Sequence, residues 1–387
     1  MEIKFINMKS TDCVHAGKIF DTSTKGMVTP IYPSTAFDYI DTDILAYPRY
    51  FNTPNQKAVV EKLCALEHGG DGLVTSSGMS AITTVLFALL QKGDHAVFEK
   101  NLYGGTYHAV VNEMERYGIN YSFSDASEDS IRSAIKDNTK LIYFETPSNP
   151  LINITDIRMV ARVANERGIV TVIDNTFASP INQNPLDMGI DVVIHSGTKY
   201  LGGHSDLICG AIISNKALVE KFWNTAIHFG GSINAHTCYL LERSLKTLAI
   251  RVEKQTQNAM ELSDYLVKNS LIKCVNYPGL TSHSGHEIAK NQMKGYGGML
   301  SFEVDLQADE TDRFLKNLKV IHSAMSLGGV ETIISSPART SHAKMTAHQR
   351  NEVGISDQLL RLSVGIEDAE DLKKDIKQAL GAAIQSA

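Results

Sequence analysis

A lysine and an aspartate each follow a short apolar run that reads as a buried strand. Asp174 comes directly after Ile169–Ile173, and Lys199 comes after Ile190–Ile194 and a segment with two hydroxyl side chains. Ligands of open α/β sheets bind beyond the carboxyl ends of the strands, so both residues point to one site. An amine forms a Schiff base with an aldehyde, and a carboxylate keeps a pyridine nitrogen protonated. The pair therefore predicts pyridoxal phosphate chemistry.

Each of these residues also has a plainer interpretation. Lys199 could be a surface lysine, and Asp174 could cap a helix or form a structural ion pair. An unpaired carboxylate at the end of a buried strand costs several kcal/mol, so Asp174 needs a cation or several donors. A catalytic amine must be partly desolvated for its pKa to fall toward ~7–8, and a pocket at a strand end can do that.

A phosphate site is predicted at a strand-to-helix turn. Ser77-Gly78-Met79 lies where a helix begins, with free backbone N–H groups, and the glycine allows an anion to approach closely. Ser196 and Thr198 add two hydroxyl donors near the same anion. The alternatives are an ordinary turn of small residues and loop chemistry around Gly197.

Two further residues have side chains suited to ligand binding. Tyr103 follows the predicted strand Ala96–Phe98, where an aromatic ring can stack on a planar cofactor and a hydroxyl can move protons. Arg361 interrupts a leucine-rich strand, and arginine suits bidentate capture of a carboxylate. The alternatives are a core or interface tyrosine and an edge strand with one solvated face.

Bulk composition excludes several classes of protein. The 387 residues include 37 Lys and Arg against 43 Asp and Glu, a net charge of −6, which argues against nucleic-acid and anionic-membrane partners. The five cysteines form no C-x-x-C pair, as expected for reduced thiols in a cytosolic protein. No apolar stretch approaches the roughly 18–20 residues that span a bilayer. We expect a soluble cytoplasmic protein.

Two other kinds of site lack support in the sequence. No G-x-G-x-x-G segment follows a strand and opens a helix, so a dinucleotide site of the Rossmann type is not predicted. His283 and His286 have no neighbouring cysteine or carboxylate at metal-ligand spacing, which favours a loop over a metal site.

The order of predicted elements indicates an α/β fold. Strand and helix patterns alternate from about residue 56, and the continuous β-branched runs suit a mostly parallel sheet covered on both faces. A helix is predicted from about Thr155, its expected N-cap, to Arg167. The predicted division is an extended N-terminal arm (1–55), a large α/β domain (56–245) and a smaller C-terminal α+β domain (246–387).

Short segments along nearly the whole chain resemble the Cys/Met metabolism (trans-sulfuration) family of fold-type-I pyridoxal phosphate enzymes. The resemblance implies the aspartate aminotransferase-like fold. The segments, in order, are His15-Ala16-Gly17, Pro30-Ile31-Tyr32, Tyr47-Pro48-Arg49, Ser76–Ala81, Leu102–Thr106, Glu145–Pro150, Asp174-Asn175-Thr176, Ser196–Tyr200, Ser326–Glu331 and Arg361–Glu367.

The resemblance also implies roles. Lys199 would carry the Schiff base and then act as acid and base, Asp174 would pair with the pyridinium, and Tyr103 would stack on the ring. The phosphate would be bound by Gly78, Met79, Ser196 and Thr198, and the substrate carboxylate by Asn149 and Arg361 with Ser326 nearby. Tyr47 and Arg49 would reach the phosphate of a neighbouring subunit, in a homotetramer built as a dimer of dimers with shared active sites.

The implied function is that of a carbon–sulfur lyase acting on cystathionine or a related thioether amino acid by β- or γ-elimination. The alternatives are γ-replacement by a cystathionine γ-synthase or an acyl-homoserine sulfhydrylase, and a catalytically silent cofactor-binding module. The chain departs from the family pattern at Asn52-Thr53-Pro54-Asn55, at Pro48 and Tyr50, and at Gly105 and Met325. Methionine γ-lyases tend to carry cysteine at the position of Gly105, and many γ-synthases and γ-lyases carry glutamate at that of Met325.

Overall fold

The chain folds into two compact units, described here from a computed structural model of residues 9–43, 45–340, 343, 346, 348, 350 and 354–384. The first unit comprises the described residues up to Lys100, together with Gly105–Glu145 and Asp156–Ile250. The second comprises Asn101–Gly104, Thr146–Thr155 and the described residues from Arg251 onward. The chain therefore enters the second unit twice before residue 251. The division predicted at residues 55 and 245 stays a prediction.

The first unit is built on a seven-stranded sheet in the order β1-β7-β6-β5-β4-β2-β3. Its strands are β1 (Asp71–Thr75), β2 (His95–Glu99), β3 (Asn120–Ser124), β4 (Thr139–Glu145), β5 (Val170–Asp174), β6 (Val192–Ser196) and β7 (Gly210–Ser214). Its helices are α1 (Lys9–His15), α2 (Pro54–Glu67), α3 (Gly78–Leu89), α4 (Gly104–Ala109, continued by irregular turns to Tyr117), α5 (Glu128–Ala134), α6 (Ile157–Asn165), α7 (Ser179–Asn182), α8 (Lys216–Phe229) and α9 (Ala235–Leu245).

Strand direction brings the predicted site residues to one edge of this sheet. β6, β5, β4, β2 and β3 pair in parallel, whereas β7 is antiparallel to both of its neighbours, β1 and β6. The carboxyl ends of the other six strands therefore lie at one edge of the sheet. The amino end of β7, at Gly210, lies at the same edge. The predicted mostly parallel α/β architecture is confirmed. The β-branched runs of β5 and β6 are buried, and each buried Val or Ile side chain contributes roughly 1.5–3 kcal/mol.

Local capping explains where three helices of this unit begin. Ser77 caps α3 by accepting a hydrogen bond from the Ser80 N–H. Asn52-Thr53-Pro54-Asn55, the segment that departs from the family pattern, begins α2 with a capping box. Thr53 pairs with Gln56, and Pro54 occupies the first helical position. Thr155 is not the N-cap of α6. The cap is Asp156, whose carboxylate accepts from the Met159 N–H at 3.1 Å.

The second unit contains a five-stranded sheet in the order β10-β11-β12-β9-β8. These strands are β8 (Ile272–Asn276), β9 (Met299–Val304), β10 (His322–Ser323), β11 (Ile333–Ser335) and β12 (Leu359–Ser363), and the helices are α10 (from Leu248 in the first unit to Val267), α11 (His286–Gln292), α12 (Ala308–Asn317) and α13 (Ala369–Ile384). Apolar side chains of this unit form a buried core that includes Phe302 and Phe314. In the described part of the chain, no helix is both long and apolar enough to cross a membrane.

Candidate active site

Lys199 and Asp174 follow neighbouring parallel strands. Asp174, the last residue of β5, pairs in register with Ile194 of β6, and Lys199 lies in the turn directly after β6. This turn is closed by backbone hydrogen bonds, from the Lys199 N–H to the Ser196 carbonyl at 3.1 Å and from the Gly203 N–H to the Lys199 carbonyl at 2.7 Å. The amine is therefore carried by a short, hydrogen-bonded segment at the edge of the sheet.

The Asp174 carboxylate is desolvated, so its ionised form is stabilised by nearby positive charge. It accepts a hydrogen bond from the Thr176 N–H at 2.9 Å. Although part of its surface stays accessible, the surrounding protein desolvates the carboxyl and raises its pKa, and the opposing effects of Thr176, His195 and Lys199 only partly offset this rise. A cation brought against this carboxylate is therefore stabilised, which fits a protonated pyridine nitrogen.

The start of α3 lies against the end of β6 with no room for a side chain. A Cβ on Gly78 would come within 2.9 Å of the Ser196 Cβ, and a Cβ on Gly210 within 2.2 Å of the Ser77 carbonyl oxygen. The first N–H groups of an α-helix, here those of Gly78 and Met79, have no acceptor within the helix. Together with the Ser196 hydroxyl, they form a donor set suited to a phosphate.

The turn that contains Thr198 is fixed by hydrogen bonds to the backbone of Cys209. The Thr198 hydroxyl accepts from the Cys209 N–H at 3.1 Å and donates to the Cys209 carbonyl at 3.2 Å. The Ser196 N–H donates to the Thr176 hydroxyl at 2.8 Å, which joins the ends of β5 and β6. The structure thus brings the predicted residues Ser77, Gly78, Met79, Asp174, Ser196, Thr198 and Lys199 to one edge of one sheet.

The buried hydroxyl of Tyr143 on β4 lies near Asp174, and the buried hydroxyl of Thr106 on α4 lies beside that of Tyr143. Burial raises the pKa of Tyr143 well above its ordinary value, and the charge of Asp174 raises it further. Tyr143 therefore stays neutral, and its hydroxyl can donate a hydrogen bond near Asp174.

The second unit holds a buried guanidinium in the middle of its sheet. Arg361 lies on β12, which has neighbours on both sides, so the edge-strand alternative is wrong. The side chain is 8% exposed and donates at 2.8 Å to the Asn149 side-chain oxygen and at 2.8 Å to the Ser326 carbonyl. Ser326 has a φ of 83°, a left-handed conformation that is rare for residues other than glycine. A guanidinium held in this way has the planar donor geometry that suits a carboxylate.

The remaining predicted residues lie on exposed segments. Tyr103 belongs to the short stretch Asn101–Gly104 of the second unit and is 46% exposed. Tyr47 precedes a single 3₁₀ turn of the first unit, Pro48–Tyr50, and Arg49 lies within it. The Arg49 guanidinium lies over the Tyr47 and Tyr50 rings and donates to the Ile227 carbonyl. The stacking role of Tyr103 and the intersubunit role of Tyr47 and Arg49 stay predictions.

The sequence did not predict a buried polar network that lies next to the ends of β5 and β6. Glu67, at the end of α2, lies 2.5 Å from the His195 ring, and both side chains are almost fully buried. Asn175, directly after Asp174, donates to the same carboxylate at 2.9 Å. The signal in the sequence was a histidine inside an apolar strand, next to a predicted site.

Comparisons with known proteins agree with this geometry. A family model described as Cys/Met metabolism PLP-dependent enzyme matches residues 10–381. Cystathionine γ-lyase and a cystathionine β-lyase of Bacillus subtilis are 42% and 41% identical over 96% of this chain, covering 99% and 95% of their own lengths. A solved structure of cystathionine γ-synthase from Xanthomonas oryzae, in complex with aminoacrylate and cysteine, superposes with a TM-score of 0.95 at 38% identity, covering 99% of this chain and all of that one. The chain therefore belongs to the Cys/Met metabolism family of pyridoxal phosphate-dependent enzymes.

Proposed function

We propose that this protein is a carbon–sulfur lyase that cleaves cystathionine or a related thioether amino acid to a thiol, a 2-oxo acid and ammonia. The observation that carries the proposal is the placement of Lys199 and Asp174 at the ends of adjacent parallel strands, on the same sheet edge as the donor set of Gly78 and Ser196. Relatives named as cystathionine γ-lyase and β-lyase, at 41–42% identity, support the choice of reaction class.

Each residue has a proposed task. Pyridoxal phosphate, when bound, supplies an aldehyde that reacts with the substrate amine and a ring that accepts electrons from Cα. Asp174 holds the ring nitrogen protonated, and the α3 start with Ser77, Gly78, Met79 and Ser196 holds the phosphate. Thr198 joins this set when its hydroxyl turns from the Cys209 carbonyl toward the phosphate. Lys199 anchors the cofactor and moves protons at Cα. Tyr103 stacks on the ring and shuttles protons, while Arg361, Asn149 and Ser326 hold the substrate carboxylate.

The two possible eliminations differ in the protons that Lys199 must move. β-Elimination needs removal of the Cα proton and departure of the substituent on Cβ. γ-Elimination needs a second proton removed at Cβ before the sulfur on Cγ leaves, which requires Lys199 or Tyr103 to act again. From cystathionine, γ-elimination yields cysteine and 2-oxobutanoate, whereas β-elimination yields homocysteine and pyruvate. The released 2-oxo acid therefore identifies the bond that is broken.

The second candidate is γ-replacement. It is supported by the close superposition on a cystathionine γ-synthase. A replacement enzyme lets a thiol add to the unsaturated intermediate of the substrate and releases no ammonia.

A substrate panel tests the proposal. Purified protein loaded with pyridoxal phosphate is mixed with cystathionine, with methionine, and with an O-acyl-homoserine plus cysteine. We expect ammonia and a 2-oxo acid from cystathionine in the absence of a thiol. Formation of cystathionine from the ester and cysteine, with no 2-oxo acid from any thioether, would make γ-replacement the function. No product from any mixture would favour the silent module.

We also infer that the chain works as a homotetramer in the cytoplasm. Exposed apolar side chains cluster in the N-terminal segment, with Met27, Tyr39, Ile40 and Leu45 each at least 63% exposed in the single chain. A large exposed apolar surface of this kind favours association with another subunit.

Five free thiols, of which Cys13, Cys209 and Cys238 are buried, support a reducing compartment.

A further inference from the structure

One buried carboxylate oxygen joins the ends of the two strands that carry the proposed cofactor site. Glu67 Oε1 lies 2.5 Å from His195 Nε2 and accepts a hydrogen bond from Asn175 Nδ2 at 2.9 Å. Asn175 directly follows Asp174, and His195 directly precedes Ser196. One oxygen of Glu67 therefore contacts a residue next to each of the two strand ends.

Further hydrogen bonds complete the network around Glu67. The Asn175 side chain donates to the main-chain carbonyl of Gln183 at 3.1 Å and accepts from the Gln183 side-chain amide at 3.0 Å. The Asn175 N–H donates to the Ile194 carbonyl at 2.9 Å, and Asn184 lies 3.4 Å from the second Glu67 oxygen. All of these polar side chains are at most 5% exposed. The Asn184 Oδ1 atom has no partner among the described residues, whereas the Asn175 and Gln183 amides are paired with each other. Buried hydrogen bonds of this kind rigidify their surroundings.

Packing alone does not account for an ionisable pair at this place. Replacing a buried ion pair with apolar residues of similar volume is often neutral or stabilising, so a need for stability does not require Glu67 and His195. The pair instead lies at the sheet edge where ligands bind. The pair is also linked to the site because His195 lies close enough to Asp174 for the two side chains to interact electrostatically.

We propose that Glu67 and His195 are positioning residues, which act through Asn175 to hold Asp174 and the Ser196–Lys199 turn at the spacing that pyridoxal phosphate requires. The proposal rests on the proposed function, since it concerns the same cofactor. Neither side chain takes part in the chemistry: both act by fixing where Asp174 and the turn after β6 lie.

The test measures the dissociation constant of pyridoxal phosphate and the position of its visible absorption band in the full-length protein. The variants are His195→Gln, which removes the ring, and Glu67→Gln, which removes the charge but keeps an acceptor for Asn175. We expect both variants to bind the cofactor at least tenfold more weakly, with a shifted band. Glu67→Gln is nearly isosteric, so it decides the question if His195→Gln does not fold.

A second buried histidine of the same sheet provides the matched control. His95, at the start of β2, is fully buried and lies 2.8 Å from the Thr139 hydroxyl and 3.0 Å from the Ser122 hydroxyl. Because strand starts lie at the edge opposite to the proposed site, His95→Gln should lower the thermal midpoint without changing cofactor affinity. A purely structural role for His195 would make the two histidine variants behave alike.

The possible outcomes separate the two proposals. If wild-type protein binds the cofactor and the Glu67 and His195 variants bind it within twofold of that affinity, the positioning role is wrong and the proposed function stands. The positioning role is equally wrong if His95→Gln weakens binding as much as His195→Gln. If the wild-type protein does not bind pyridoxal phosphate, the proposed function itself fails.

Discussion

At the scale of the residue, Arg361 carries the proposed carboxylate-binding group. Its guanidinium is oriented by two uncharged oxygens, from the Asn149 side chain and the Ser326 backbone. Arginine can donate two parallel hydrogen bonds to a carboxylate, whereas lysine offers a point charge on a flexible stem. Substitution by lysine therefore keeps the charge and removes the geometry.

We expect Arg361→Lys to lower kcat/KM for the amino-acid substrate about 10- to 100-fold, mainly by raising KM, because a charge-assisted hydrogen bond is worth about 1.5–3 kcal/mol. Steady-state kinetics on cystathionine measures this. The matched control is Arg339→Lys, since Arg339 is half-exposed and pairs with Asp312 at the surface. Equal losses in the two variants would remove Arg361 from the substrate site.

Gly78 tests the phosphate end of the site. We expect Gly78→Ala to weaken pyridoxal phosphate binding at least tenfold, because its Cβ would lie 2.9 Å from the Ser196 Cβ and would push α3 away from β6. Fluorescence titration with the cofactor measures the affinity. The control is Gly381→Ala in α13, where a Cβ meets no atom within 4 Å and should stabilise the helix by about 0.5–1 kcal/mol. Unchanged cofactor affinity in Gly78→Ala would place the phosphate elsewhere.

At the scale of elements, Asp375 attaches α13 to the segment that precedes β10. Its carboxylate accepts from the N–H groups of Lys319, Val320 and Ile321 at 2.9 Å each. Burial by itself would raise the pKa of Asp375, but these backbone donors and Gln378 outweigh it and lower the pKa below the ordinary 3.8. The stabilisation is therefore present above about pH 4 and is lost as the pH falls through the lowered pKa.

Asp375→Asn should lower the free energy of unfolding by about 2 kcal/mol at pH 7, because an amide nitrogen would face backbone donors. The difference from wild type should shrink below pH 4, where the unfolded carboxylate becomes protonated, and should disappear as the pH falls through the lowered pKa of the native carboxylate. Urea unfolding at several pH values measures both effects. Asp371→Asn, on the exposed side of the same helix and paired with Lys374, should change little. A pH-independent difference between Asp375→Asn and wild type would contradict this explanation.

The sequence predicted the elements whose patterns are local. The β-branched runs of β5 and β6 and the small-residue turn before α3 were sufficient to place Asp174, Lys199 and Gly78 at one sheet edge. β3 was missed because Asn120–Ser124 mixes polar and aromatic residues, and β7 because Gly210–Ser214 is a short run whose direction no pattern reveals. Glu67 and His195 are separated by 128 residues, and no spacing rule links them.

At the scale of the whole molecule, the exposed apolar N-terminal segment carries the prediction of self-association. We expect wild-type protein to sediment as a tetramer and the double variant Tyr39→Glu/Ile40→Lys to sediment as smaller species with weaker cofactor binding, since Tyr47 and Arg49 are proposed to complete a neighbour's site. Sedimentation velocity measures the assembly. Val267→Lys, another exposed apolar position, serves as the control. An unchanged tetramer in the double variant would exclude this segment from the interface.

The most direct test of the whole account is the effect of Lys199→Ala on cofactor absorbance and on cystathionine cleavage. Lys216→Ala, an exposed lysine at the start of α8, is the control. We predict that wild type and Lys216→Ala are yellow and release a 2-oxo acid from cystathionine, and that Lys199→Ala loses both properties while remaining folded. A Lys199→Ala protein that stays yellow and cleaves cystathionine at the wild-type rate would contradict the assignment of Lys199 and, with it, the proposed site.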